Sequence, residues 1–397
     1  MTSISASPAK SSLVSVPLLL GILLIAANLR APITSLGPVL SWVQRDFALS
    51  PAASGLLNAL PLLLFAAVSP FAPLLSRRLE LERALFAALL AIGAGCVLRS
   101  TGVETGLWAG TVLIGAGIAV ANVLMVPLIK RDFPQHATLC IGLYAATMAL
   151  TAAVASGVAL PLAGLTAHGW KLSLGLWFAL ALVSMVAWLP RVASSKGKAM
   201  SKDPIDKPRV RMWRSAVAWQ VSMFMALQTL VFYTLIDWFP AIASDSGIDA
   251  AHAGTYLFAY QAVAVVANLI ASAALKRLSD QRLLGFICSL ATVIGVSGLL
   301  AAPAQALWWL LFAGAGAGMS MVTCLAFFGL RSRDHHEASA LSGMAQCVGY
   351  GLGSAGPLLA GWLHDFSGGW HVPLAVLLIA ALLQMVFAVI AGRTRYV

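Results

Sequence analysis

The sequence is short of charge. Only 10% of its 397 residues are Asp, Glu, Lys or Arg, against about 25% in an ordinary soluble domain. Acid is scarcest: 14 Asp and Glu face 25 Lys and Arg, a formal net charge of +11. So few charges cannot clothe a water-facing surface, which excludes a soluble globular enzyme, and so rich an apolar content excludes a disordered chain. Nucleic-acid binding is excluded as well, because Lys and Arg fall in short packets between apolar runs, not along one hydrated face. The five cysteines (Cys96, Cys140, Cys288, Cys324 and Cys347) show no paired spacing, so they read as small buried hydrophobes and not as a disulfide framework or zinc site. The seven histidines fall in or beside loops, without metal-ligand spacing or a nucleophile–base arrangement. No metal, cofactor or catalytic residue is expected.

What the chain has in excess is apolar: 60% of residues are hydrophobic and the mean hydropathy is +0.89. We therefore expect an all-α integral membrane protein, since helices satisfy their own backbone groups in lipid. A crossing takes about 20 apolar residues. Twelve segments qualify: 14–41, 51–75, 82–100, 105–129, 138–164, 172–190, 214–243, 251–275, 282–302, 305–330, 337–363 and 371–392. The first follows Lys10 as a secretory leader would. Its apolar character nevertheless continues from Leu13 through Pro32 to Trp42 without a small-residue cleavage site, so it is read as a retained span.

Cation placement orients these spans. With both termini cytoplasmic, 21 of the 25 cations fall on the inner side, among them Arg77, Arg78, Arg83, Lys130, Arg131, Lys276, Arg277, Arg282 and Arg331. Arg45, Arg99 and Lys171 fall outside, and Arg30 falls within a span. Residues 193–213, with Pro204 and Pro208, form a basic linker between six-helix bundles at 1–192 and 214–397. The expected partners are the lipid bilayer and a small-molecule substrate, the chain acting as a monomer.

The two bundles repeat. At an offset of 199 residues Gly55 falls on Gly254, Arg78 on Arg277, Arg83 on Arg282, and Gly115-Ala116-Gly117 on Gly314-Ala315-Gly316. Two parallel six-helix halves resemble the architecture of the major facilitator transporters, whose binding site lies near mid-membrane between the halves. The basic turns carrying Arg77, Arg78 and Arg83, and Arg277, Asp280 and Arg282, stand where that superfamily keeps a gating loop. Positive-inside anchoring explains the same arginines, and both readings stand.

Arg30 is the cation that topology does not explain. It lies about 16 residues into the first span, roughly 24 Å at 1.5 Å per residue, and a mid-membrane Arg costs at least about 2.5–3.5 kcal/mol. Its planar donor fork suits carboxylate, nitrate-like or cyanate-like groups; an internal ion pair is the other reading. Asn28 and Thr34 flank it. Thr229, Tyr233 and Asp237 recur at i, i+4 and i+8, with Gln228 beside them, and so share a face of the seventh span. Asp237 could pair with Arg30, carry a coupling proton, or sit in a hydrated outer vestibule. Asn122, Tyr144, Tyr260, Gln261, Gln346 and Tyr350 add hydrogen-bonding groups in other spans, as pocket lining or as interhelical glue.

The stretch Ala27-Asn28-Leu29-Arg30-Ala31-Pro32-Ile33-Thr34-Ser35-Leu36-Gly37-Pro38 resembles the first helix of the cyanate permease and nitroimidazole transporter family. Phe232 to Pro240 is similar to that family's span-seven motif, and Lys130-Arg131-Asp132-Phe133 to its turn after span four. Asp237 departs from the pattern, standing where a small or apolar residue is usual. The resemblance implies a multi-pass transporter of the bacterial inner membrane, moving a cyanate-like, carboxylate or nitroimidazole-like solute by alternating access. The alternative is a proton-coupled multidrug efflux pump, for which Asp237 is the one acid on offer.

Overall fold

The computed structural model describes residues 16–166, 169–194 and 212–397. Most of the expected linker, with Lys10 and His168, lies outside the described residues. The described chain is helical, with no strand.

The first expected span is three helices, α1 (Val16–Asn28), α2 (Ala31–Thr34) and α3 (Leu36–Asp46). Proline explains both breaks. Pro32 has no N–H for the carbonyl of Asn28, and Pro38 none for that of Thr34. The second orphan is filled from outside, by Ser156 Oγ at 3.1 Å. Next come α4 (Pro51–Val68), a 3₁₀ turn, α5 (Ala72–Leu79), α6 (Leu81–Arg99), α7 (Glu104–Asp132) and α8 (Ala137–Ala163). Two more, α9 (Gly169–Gly175) and α10 (Trp177–Ser194), complete the N-terminal set. The C-terminal set is α11 (Ala216–Asp245), α12 (Ala250–Leu275), α13 (Arg282–Ala301), α14 (Ala306–Leu330), α15 (His335–Gly353), α16 (Ala355–Ser367) and α17 (His371–Ala391).

Eleven of the resulting segments are long and apolar enough to cross a membrane. The expected span 337–363 is not among them. Its helices α15 and α16 are interrupted at Ser354, where Pro357 cannot donate to the carbonyl of Gly353, and their Gly, Ser and Gln content dilutes the apolar signal. Arg99 also differs from expectation. It closes α6 with only 1% of its surface exposed, and is not a loop residue.

Small residues let the helices approach. A methyl group at Gly117 would meet the carbonyl oxygen of Ala88 at 2.7 Å, and one at Gly316, its counterpart at the 199 offset, that of Cys288 at 2.8 Å. Each glycine thus marks a contact between consecutive spans at which larger side chains do not fit.

The core is not uniform along the bundle. Toward the end bearing Arg131, Arg191 and Lys276, one apolar cluster joins both sets, with Ile22, Val126 and Ile129 packed in common with Phe224, Phe327 and Met344. Two seams close this basic end: Gly142 of α8 packs on Ser272 of α12, and Gly343 of α15 on Pro73 of α5. Toward the opposite end the clusters are separate. One holds only C-terminal residues such as Phe239 and Leu310, the other only N-terminal ones such as Val39 and Trp170.

Candidate functional site

Arg30 sits on the proline-made break between α1 and α2, which frees its side chain from a regular helix surface. It lies where the shared core gives way to the separate ones. Its guanidinium Nη1 donates to Tyr233 Oη of α11 at 3.2 Å. Tyr350 of α15 and Tyr144 of α8 both lie near enough to the same guanidinium to interact with it electrostatically. Rings extend this shell: Phe65 meets Tyr350 edge-on at 4.9 Å and Phe232 meets Tyr233 at 5.2 Å. The Tyr144 hydroxyl donates to Asn122 Oδ1 at 3.1 Å.

Of the sequence-predicted site residues, then, the structure gathers Arg30, Tyr144, Tyr233 and Tyr350, with Asn122 one hydrogen bond behind. Others turn elsewhere. The Asn28 amide donates to Leu24 O at 2.8 Å and to Ser184 Oγ of α10 at 2.7 Å, tying two N-terminal helices together. Thr34 Oγ1 donates to backbone oxygens of Arg30 and Ala152. Gln228 Nε2 donates to Thr229 Oγ1 at 3.0 Å, and Gln346 Nε2 to Ser342 Oγ at 2.9 Å. Tyr260 is buried with its ring 6.0 Å from that of Phe232, beside a half-buried Gln261. Asn122 Nδ2 and Gln346 Oε1 are buried without a hydrogen-bond partner.

The expected alternative of an Arg30–Asp237 ion pair is not formed. Asp237 is exposed on α11, one turn (about 6 Å) beyond Tyr233 toward the end where the cores are separate. Among the described residues, no carboxylate lies within ion-pairing distance of Arg30. The site is thus a lone cation among phenol hydroxyls and aromatic rings.

The expected gating residues make local contacts. Arg83 faces Glu80 at 4.0 Å, Arg282 pairs with Asp280 at 2.5 Å, and Arg77, Arg78 and Arg277 are exposed. Two hydrogen bonds from Arg282 hold the Asp280 carboxyl below its ordinary titration range. The charge-to-helix-end contact between the two helix sets comes instead from Lys130. Its Nζ donates to Gly329 O at 2.7 Å, to Ser332 Oγ at 3.0 Å and to Ser332 O, at the C-terminal end of α14.

Sequence reasoning also missed two polar clusters, the first half-buried and the second buried. In the first, Glu82 meets Arg131 at 2.5 Å, while Asp132 bonds both Arg131 and Arg191. In the second, Arg331 donates to Gln281 Oε1 at 2.5 Å, Ala391 O at 2.8 Å and Gly392 O at 2.9 Å. The offset of 199 was the available signal, because it places Glu82 on Gln281 and Asp132 on Arg331.

Comparison with known proteins identifies the family. Residues 18–354 match the Major Facilitator Superfamily model. The chain is 41% identical over 378 residues to a 2-nitroimidazole transporter of Escherichia coli (strain K12), covering 95% of this chain and 96% of that protein. It is 26% identical over 359 residues to a cyanate transport protein of the same organism, covering 89% and 91%. In three dimensions it is similar to the proton:xylose symporter XylE, with a TM-score of 0.79, 14% identity and 96% of each chain covered.

Proposed function

The chain belongs to the major facilitator superfamily, alongside the nitroimidazole and cyanate transporters, and from that premise we propose that it carries a small planar anion or nitro-substituted ring on Arg30. Like its relatives it is a transporter and not an enzyme. The observation that carries the reading is the uncompensated guanidinium between the two helix sets. A planar fork binds carboxylate or nitro oxygens two at a time, and the rings of Tyr144, Tyr233, Tyr350, Phe65 and Phe232 supply flat apolar walls for an aromatic body. The buried Asn122 Nδ2 and Gln346 Oε1 are free to orient a substituent.

The cycle is alternating access between bundles at 1–192 and 214–397, with 193–213 as the linker. Counting the interrupted pair α15–α16 as a twelfth span, and reading the cation bias as inward, supports an orientation with both termini and the basic end in the cytoplasm of a bacterium. The protein is then a multi-pass inner-membrane monomer without a cofactor. The separate cores at the opposite end support a site reached from outside in this state. Asp237, exposed and one turn outward of Tyr233, is where proton coupling would act, and it keeps the efflux-pump reading in play.

The test is a thermal-shift titration of the purified full chain with 4-hydroxybenzoate, 2-nitroimidazole and cyanate at two pH values. At least one should stabilise the protein. Arg30→Ala should weaken that ligand by roughly 30- to 140-fold, the loss of a charged hydrogen-bonding pair worth about 2–3 kcal/mol, and Arg30→Lys by less. Wild-type affinity in both variants would sink the anchor.

A further inference from the structure

Where α8 and α12 meet at the basic end, a cleft runs along the seam between the two helix sets. Leu139 and Leu143 line it from α8, Leu269 and Ser272 from α12, and Lys276 and Arg277 stand at its rim. The helices touch at its base, where Ser272 Oγ donates to Thr138 O at 3.2 Å. Lys276 reaches over the seam, near enough to Cys140 of α8 to interact with it electrostatically. Both cations are exposed, and among the described residues neither has a carboxylate within ion-pairing distance. Immediately along α12, Val266, Leu269 and Ile270 expose apolar side chains. A water-facing helix would hide these, whereas a lipid-facing one presents them.

An apolar wall under two uncompensated cations is the shape of an anionic amphiphile. We propose that this cleft is a binding site for an acidic phospholipid, its phosphate on Lys276 and Arg277 and an acyl chain along Leu139, Leu143 and Leu269. Basic recesses between membrane helices on the inner side suit such headgroups. A free anion on the same exposed pair would be screened by salt, whereas a lipid adds about 0.8 kcal/mol for each buried methylene. Because the walls come from both helix sets, the lipid binds best while this end is closed, and so shifts the molecule toward that state. The site depends on the closed seam and owes nothing to Arg30.

Native mass spectrometry of the full chain, offered phosphatidylglycerol and phosphatidylcholine with the same acyl chains, tests this. Phosphatidylglycerol should be retained preferentially, and Lys276→Ala/Arg277→Ala should cut its retention roughly tenfold. Arg393→Ala/Arg395→Ala removes two exposed cations outside the cleft and should leave retention unchanged. Leu143→Trp, which fills the cleft and spares the cations, should also reduce it. Equal retention of the two lipids, equal losses in both double variants, or no effect of Leu143→Trp would overturn the proposal. Arg30→Ala should retain lipid as the wild type does, so the solute anchor and the lipid site fail separately.

Discussion

The two helix sets solve the same local problem by different chemistry. At the basic end of the N-terminal set, two carboxylates and two guanidiniums (Glu82, Asp132, Arg131 and Arg191) neutralise one another. At the matching place in the C-terminal set the Glu is Gln281, the Asp is Arg331, and the single guanidinium is satisfied by Gln281 and by the last carbonyls of α17. Those carbonyls carry the negative pole of a helix dipole, so they substitute for the missing acids. At both places the guanidiniums between neighbouring spans find oxygen acceptors. The charges around them are not the same.

Exchanging the two solutions should have the largest effect. Glu82→Gln leaves Arg131 and Arg191 sharing one carboxylate and should cost about 2 kcal/mol, read as thermal unfolding in detergent. Gln281→Glu gives Arg331 a counter-charge but sets it against Leu278 O, which Gln281 now donates to at 2.9 Å. Its cost should stay within about 1 kcal/mol. Equal losses would mean that charge matters alike in both sets, and the contrast would fail.

The contact made across the two sets comes next. Lys130→Ala removes a charged donor from three oxygens of α14 and its exit turn, an effect of about 1.5–3 kcal/mol. The ratio of closed to open forms at the basic end should fall at least about tenfold, visible as longer spin-label distances between the ends of α7 and α14. An unchanged distance distribution would assign closure to the apolar core alone.

The smallest difference lies at two helix starts. Asp334 caps α15 by accepting from the backbone N–H of His336 and Glu337, both at 2.8 Å, while α8 begins at His136 with no side-chain cap. Asp334→Ala should cost about 1 kcal/mol and His136→Ala almost nothing. Burial works to raise the Asp334 carboxyl, but the hydrogen bonds from Glu337 and His336, with the nearby imidazoles of His336 and His335, together more than offset it and hold the group below the usual carboxylate value. The folded value is therefore the lower one. The cap contributes fully above about 3.9, the ordinary Asp value, and is lost as pH falls through the lowered one. Hydrogen exchange in the first turn of α15 should accelerate there in the wild type and at every pH in Asp334→Ala. A flat wild-type profile would discount the cap.

Span positions were legible in the sequence because crossing a bilayer takes a minimum run of apolar residues, and boundaries at Arg99, Asp132 and Leu275 fall within a few residues of expectation. Arg30 stood out for the converse reason, as a charge within such a run. Its partners were half legible. Helical spacing gave the face of Tyr233 and marked Tyr144 and Tyr350 as polar groups in other spans, but only packing decides the rotation of α11, which brings Tyr233 to Arg30 and leaves Asp237 outside. Glu82, Arg99 and Arg331 escaped notice because a charge near a loop reads as solvated, and their burial depends on neighbours tens to hundreds of residues away. The interruption at Ser354 follows from Pro357, a local cause that the run of 337–363 concealed.

Lys130 reaches across to Gly329, the residue 199 positions on. At that offset a lysine of the N-terminal helix set and a glycine of the C-terminal set face each other across the seam, so the ammonium lands on main chain. A lysine at 329 would set a second ammonium beside that of Lys130, and the two like charges would repel. One side of the seam thus supplies the tether and the other the bare backbone that receives it.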